Sequence, residues 1–275
     1  MGQVPIARSL PRPLTVREFA SFKAQRRKIS IVTAYDAWSA QIIARSHVDA
    51  ILVGDSVAMV VHGHPSTLAA TVDLMALHTR AVCRASGDKF VISDLPFLST
   101  RKGIVEAMNA VGALMTSGAH AVKLEGVDGH EDIVRQIVGS GVPVMGHIGL
   151  TPQSMHQLGG FRVQGKDDAD AARLVRQAHA LEDLGCFAIV LECVPAQLAA
   201  RITSELTVPT IGIGAGADTD GQVLVLQDLW GVTAGRQPRF VRHYVDGARV
   251  LTDALDRYDD DVKGVRFPTL EEAYS

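Results

Sequence analysis

Nowhere in its 275 residues does the sequence hold an apolar run approaching the ~20 residues that cross a bilayer, which excludes a membrane-spanning helix. The stretch from Met1 to Pro13 scatters Arg and Pro without an apolar centre, so no secretory signal is visible and a cytoplasmic location is expected. Only three cysteines occur, Cys83, Cys186 and Cys193, and no CxxC pair; that set argues against a disulfide framework and against a zinc cluster. Reduced, packed thiols are the expectation. Net charge is −3 and the basic residues are dispersed, so the basic stripe that binds nucleic acid is missing. Linkers, low-complexity segments and internal repeats are absent too, and residues 1–275 read as one domain.

What is present is an alternation of short aliphatic runs with longer stretches of helical periodicity, punctuated by Gly, Asp and Pro. Eight runs read as strands: Ile29 to Thr33, Ala50 to Gly54, Phe90 to Ser93, Ala119 to Leu124, Val142 to Gly146, Phe187 to Leu191, Val208 to Ile213 and Val223 to Leu226. They lack polar alternation, as parallel strands buried on both faces do. Helices are expected over Thr71 to Arg84, Gly103 to Thr116 and Asp168 to Leu184, and Asp220 to Asp228 leaves little room for one between the last two strands. The capping-box spacing of Thr15 and Glu18 predicts a short N-terminal helix. An amphipathic stretch from Phe240 to Leu255 predicts a closing helix, and Asp259 to Asp261 begins a polar tail. The expected fold is an α/β protein, a (β/α)8 TIM barrel.

Four of the runs end in a carboxylate: Asp55, Asp94, Glu125 and Glu192. One acid at a strand end means little, but in a (β/α)8 barrel the C-terminal strand ends converge on one mouth, where catalytic groups lie. Carboxylates crowded into a desolvated mouth repel one another unless a cation joins them or some take up protons. Mg²⁺ suits an all-oxygen set, whereas zinc would recruit His or Cys. Lys123 interrupts an apolar strand two residues before Glu125, and alternation puts both on one face. A lysine there needs a carboxylate or a substrate anion. By the same parity Cys193 points away from Glu192 and reads as packing. His147 ends the fifth run as a candidate pocket residue, and His62 with His64 reads as a turn more than as a chelate. Gly212 to Ala217 has the G-x-G-x-x-G/A spacing of dinucleotide sites, but turn residues follow it where a helix should start. Three rival readings stand beside a Mg²⁺ enzyme: a lyase or mutase of the same barrel type, a Schiff-base aldolase using Lys123, and a scaffold without catalysis.

Specific motifs run in order from Ile31 to Gly235. They include Thr33-Ala34-Tyr35-Asp36, Val53-Gly54-Asp55-Ser56, Asp94-Leu95-Pro96-Phe97, Val122-Lys123-Leu124-Glu125-Gly126, Gly146-His147-Ile148-Gly149, Thr151-Pro152-Gln153, Leu191-Glu192-Cys193-Val194-Pro195 and Thr219-Asp220-Gly221-Gln222. In these the sequence closely resembles the ketopantoate hydroxymethyltransferase family of pantothenate (coenzyme A) biosynthesis. The resemblance implies a barrel of the phosphoenolpyruvate-mutase and isocitrate-lyase kind, Mg²⁺ dependence, and one-carbon transfer from 5,10-methylenetetrahydrofolate to 2-oxoisovalerate. It places metal ligands on Asp55, Asp94 and Glu125, 2-oxo acid contacts on Asp55, Ser56, Asp94 and Lys123, and the proton acceptor on Glu192. It also implies a large homo-oligomer built of rings, such as a decamer. Ala58, Pro65 and Thr100 depart from the family's usual residues at the pocket edge.

Overall fold

The structure is a computed structural model that describes residues 13–233, 235 and 237–274. Of the leader region only Pro13 is described, so the expectation for Met1 to Pro13 otherwise lies outside the described residues. All eight expected strands form: β1 Ile29–Thr33, β2 Ala50–Val53, β3 Phe90–Asp94, β4 Ala121–Glu125, β5 Val144–Gly149, β6 Ala188–Glu192, β7 Thr210–Ile213 and β8 Gly221–Leu224. They pair in parallel in chain order, and β8 returns to β1 to close the barrel. The fourth, fifth and seventh strands begin two residues later than their apolar runs, and the eighth lies two residues earlier than its run. The fifth and seventh runs each contain a proline, Pro143 or Pro209, whose carbonyl accepts from the neighbouring strand but which has no N–H to give.

The helices are α1 Val16–Ala24, α2 Ala37–Ala44, α3 Val57–Val60, α4 Val72–Cys83, α5 Ile104–Thr116, α6 Glu131–Gly139, α7 Met155–Leu158, α8 Asp168–Asp183, α9 Ala196–Glu205, α10 Leu226–Leu229 and α11 Gly247–Lys263. The Thr15–Glu18 capping box forms at α1 as expected. No helix separates β7 from β8; the chain returns to the start of the barrel through residues 214–220, so the glycine-rich segment opens no helix and the dinucleotide site is not built. Cα packing divides the chain into two compact units, residues 1–224 and 225–275. In the second, α11 begins at Gly247, capped by Asp246, later than the expected start near Phe240, and runs two turns past Leu255 through the acidic run, where Asp259 pairs with Lys263 one turn on. Residues 264–274 beyond it are exposed and carry Val265, Leu270 and Tyr274 among the polar residues.

Within the first unit, strand alternation sorts the inner face. Ile29, Ile31, Ala50, Leu52, Phe90, Ile92, Ala121, Met145, Ala188, Val190, Ile211 and Val223 form one buried cluster, joined by Phe19 and Phe22 of α1. Phe19 is fully buried, with ring centroids 5.2 Å from Phe90 and 5.4 Å from Phe187, so α1 plugs the N-terminal end. Lys23 on the same helix is held by the Asp220 carboxylate and the carbonyls of Thr203 and Val208. With that end filled by apolar rings, the polar inner-face positions fall at the opposite end.

Candidate active site

Continuing the inner-face rows by two residues at a time leads from the apolar core to Asp94, Lys123, Glu125, His147 and Glu192. Register makes two of these direct cross-strand partners: Asp94 opposes Lys123, and Glu125 opposes His147. Lys123 Nζ lies 2.7 Å from Asp94 Oδ1, and both side chains are about 5 % exposed or less. His147 Nδ1 is 3.5 Å from Glu125 Oε1, and its Nε2 is 3.3 Å from Glu192 Oε2. The parity argument that coupled Lys123 to Glu125 is therefore realised in the barrel.

Glu192 opposes Gly149, and that glycine is required: its φ is +95°, and a Cβ there would stand 2.2 Å from the Glu192 carbonyl. The Glu192 carbonyl also accepts from Leu150 N at 2.8 Å, so the backbone under this acid is fixed. Its side chain is 18 % exposed, against 4 % for Asp94 and Glu125, which makes it the acid most open to a ligand.

Asp55 reaches the cluster from the turn after β2. Its backbone N–H donates to Asp94 Oδ2 at 3.0 Å. Gly54 before it has no room for a side chain, since a Cβ would lie 2.8 Å from Ser56 Oγ and 3.5 Å from Asp94 Oδ2. Ser56 Oγ in turn is 2.8 Å from the hydroxyl of buried Tyr35. One residue that sequence reasoning passed over ties the acids together. Gln153 donates its backbone N–H to Glu125 Oε2 at 2.9 Å and its side-chain amide to Asp55 Oδ2 at 2.8 Å and Leu95 O at 3.0 Å. Nothing in its local pattern marks it, because it lies in the short 3₁₀ turn Pro152–Ser154 after β5.

Burial raises the pKa of Asp55 well above the ordinary carboxylate value, reinforced by Asp94 and Glu125. Burial also raises Asp94, although Lys123 opposes it. For Lys123, burial works against the charge, but Asp94, Glu125 and Asp55 outweigh it and hold the ammonium protonated. Burial and Lys123 likewise disfavour the imidazolium of His147, yet Glu125 and Glu192 on either side push it up to about 9. Lys123 Nζ also lies 3.3 Å from His147 Nδ1.

Crowded, buried carboxylates repel one another, and a divalent cation among them would relieve that repulsion. Glu125 Oε1 is buried and accepts no hydrogen bond. Among the described residues, no three His, Cys, Asp or Glu side chains are already gathered as a cage for one ion. Mg²⁺ does not need a preformed cage, since it takes carboxylate oxygens and completes its shell with water and ligand oxygens. The donor set thus fits Mg²⁺.

The remaining candidates stand apart. His62 and His64 are exposed, and His62 Nε2 meets His78 Nε2 at 2.9 Å. Burial pushes the Cys193 thiol up to about 12, and Glu192 adds to it. Thr100 lines a cavity beside Glu125, while Ala58 is fully buried.

A closed parallel barrel with charged inner-face pairs at its C-terminal mouth is the build of a (β/α)8 enzyme. The fold is that of 2,3-dimethylmalate lyase, a PEP mutase/isocitrate lyase superfamily member (TM-score 0.56, 16% identity, 94% of this chain and 90% of that one). The family model for ketopantoate hydroxymethyltransferase matches residues 13–270. The chain is 53% identical over 261 residues to 3-methyl-2-oxobutanoate hydroxymethyltransferase of Bdellovibrio bacteriovorus, covering 95% of this chain and 99% of that protein. It is 52% identical over 255 residues to the protein of the same name from Coxiella burnetii, covering 92% and 96%. The chain belongs to the ketopantoate hydroxymethyltransferase family and is an enzyme.

Proposed function

We propose that this enzyme moves a hydroxymethyl group from 5,10-methylenetetrahydrofolate to 2-oxoisovalerate (3-methyl-2-oxobutanoate), forming ketopantoate for pantothenate biosynthesis. The observation that carries the proposal is the division of the acids: Asp55, Asp94 and Glu125 are buried, Gln153 joining Asp55 to Glu125 and the Asp55 N–H donating to Asp94, whereas Glu192 stands more open beside them. The first three would hold Mg²⁺, which supplies Lewis-acid stabilisation of charge developing on the 2-oxo group. Glu192 accepts the C3 proton, held in place by the rigid Gly149–Glu192 backbone pair and faced by His147 Nε2. Lys123 balances the charge of substrate and carboxylates, and the Ser56 hydroxyl, oriented by Tyr35, donates to the substrate carboxylate. Asp55 and Asp94 border the same 2-oxo acid. C3 then bonds to the one-carbon unit as its two C–N bonds to the folate break, water furnishes the product hydroxyl, and tetrahydrofolate leaves with one proton from C3 and one from that water on its two nitrogens. A cytoplasmic, metabolic setting belongs to this proposal; no described helix is long and apolar enough to cross a membrane.

Self-association into a ring-built homo-oligomer belongs to it too. Leu251, Leu255, Tyr258 and Val262 are 42–68 % exposed and fall on one stripe of α11, a face that a further copy of the chain would cover.

The test is to supply 2-oxoisovalerate and methylenetetrahydrofolate and follow ketopantoate, with Mg²⁺ and after chelation. Product with Mg²⁺ and none without it is expected. Failure to form product in any divalent metal would end the proposal.

A further inference from the structure

Beside the acid cluster lies a cavity of about 980 Å³ with Glu125 and Gln153 in its wall. At roughly 30 Å³ per non-hydrogen atom, the share of one water in the liquid, an eight-atom 2-oxo acid fills only about 240 Å³. A second, larger ligand therefore has room. A folate of about thirty such atoms needs on the order of 900 Å³ by the same measure.

The walls suit a flat body with an anionic end. Phe97 and Leu98, on the loop after β3, are 39 % and 41 % exposed at the cavity. Leu98 has φ +60°, a strained setting for a side-chain-bearing residue and one that clusters where ligands are held. Two arginines line the same space, and their surroundings differ. Arg173 is held by the Asp170 carboxylate and by Gln177 Oε1 at 3.1 Å. Arg101 donates one Nη–H to the Asp128 carbonyl at 2.7 Å and, among the described residues, makes no ion pair. The Asp128 carboxylate is itself engaged by Gln177 Nε2 at 2.6 Å. The Arg101 guanidinium lies over the turn after β4, 3.5 Å from where a Cβ on Gly126 would be, so it is poised beside the residue that follows Glu125.

Resting on the function proposed above, we infer that this cavity is the site of the one-carbon donor and that Arg101 pairs with a carboxylate at the donor's glutamyl end. The 2-oxo acid occupies the acid cluster, and the donor lies along the Phe97–Leu98 wall. An unpaired guanidinium recognises a carboxylate through charge-assisted, often bidentate hydrogen bonds.

The test uses the full chain with Mg²⁺ and the variant Arg101→Gln. Loss of a hydrogen bond to a charged group should raise KM for methylenetetrahydrofolate about tenfold or more. KM for 2-oxoisovalerate and donor-free exchange of its C3 proton should stay within about twofold, because neither uses Arg101. A methylenetetrahydrofolate whose two glutamyl carboxylates are converted to neutral amides should be used equally by both proteins. An unchanged donor KM, or equal losses with both donors, would overturn the assignment. Calorimetric binding of tetrahydrofolate without turnover separates this inference from the parent proposal. Binding weakened in Arg101→Gln supports the site even if no ketopantoate forms, and ketopantoate formation with undiminished binding in the variant refutes the site alone.

Discussion

Replacing Lys123 by Met removes the cation from the most buried part of the cluster while keeping most of the side chain's length. Lys123 Nζ stands 2.7 Å from Asp94 Oδ1, and the two side chains are 5 % and 4 % exposed, so solvent cannot take over the lost charge. Breaking a buried pair by removing one partner costs about 3–5 kcal/mol. For a chain of this size, at roughly 2–4 °C per kcal/mol, the metal-free variant should melt on the order of 10 °C lower. The pH dependence follows from the directions of the shifts. Asp55 and Asp94 are raised by burial, so the folded state takes up protons more readily than the unfolded one. Their contribution is fully present below the ordinary carboxylate range and is lost as pH rises through the raised folded values. Lys123, also raised, contributes below its ordinary pKa and through neutrality. Without it the carboxylates rise further, so the gap between variant and parent should widen from about pH 5 to pH 8. Saturating Mg²⁺ should narrow the gap. The assay is thermal unfolding in chelator across that range, repeated with Mg²⁺. A melting point within about 2 °C of the parent at pH 8 would refute the electrostatic account of the cluster.

Three further outcomes are expected. Gln153→Ala removes the amide that ties Asp55 to the loop, and titration calorimetry should show Mg²⁺ affinity reduced by about tenfold or more; unchanged affinity would deny Gln153 its positioning role. Phe19→Ala at the opposite end should cost about 3–5 kcal/mol in urea unfolding yet leave Mg²⁺ affinity alone, and a change in affinity would show that the plug and the mouth are coupled. With Cys83 pushed up to about 11 and Cys186 and Cys193 to about 12 by burial, thiol reagents should label the native protein slowly at pH 7.5; one fast-reacting thiol would contradict the packing role.

Parity and strand ends made much of this site legible before any coordinates. Asp94, Glu125 and Glu192 are the last residues of their strands, and the i, i+2 relation of Lys123 and Glu125 survives as two cross-strand pairs. Asp55 arrives instead from a turn, and its place depends on Gly54 lacking a side chain. His147 was recognisable as a pocket candidate but not as the group lying between Glu125 and Glu192, because that depends on which strand neighbours which. Gln153 stood in a motif, Thr151-Pro152-Gln153, without a role: that role comes from a 3₁₀ turn whose backbone and side chain reach the acids, and no periodicity encodes that. The β7–β8 connection has no helix, as expected, whereas α11 lies about seven residues further on than its amphipathic stretch suggested, starting at the Asp246 cap and continuing through acidic side chains, one of which pairs one turn on.

The division of labour between three metal-holding acids and one base is tested most directly by following the C3 proton of 2-oxoisovalerate by NMR in D₂O with Mg²⁺ and no folate. The parent protein should exchange that proton. Glu192→Gln should retain Mg²⁺ and 2-oxo acid binding and lose the exchange by a factor of about 100 or more. Exchange at the parent rate in Glu192→Gln would contradict the account and move the base to another residue.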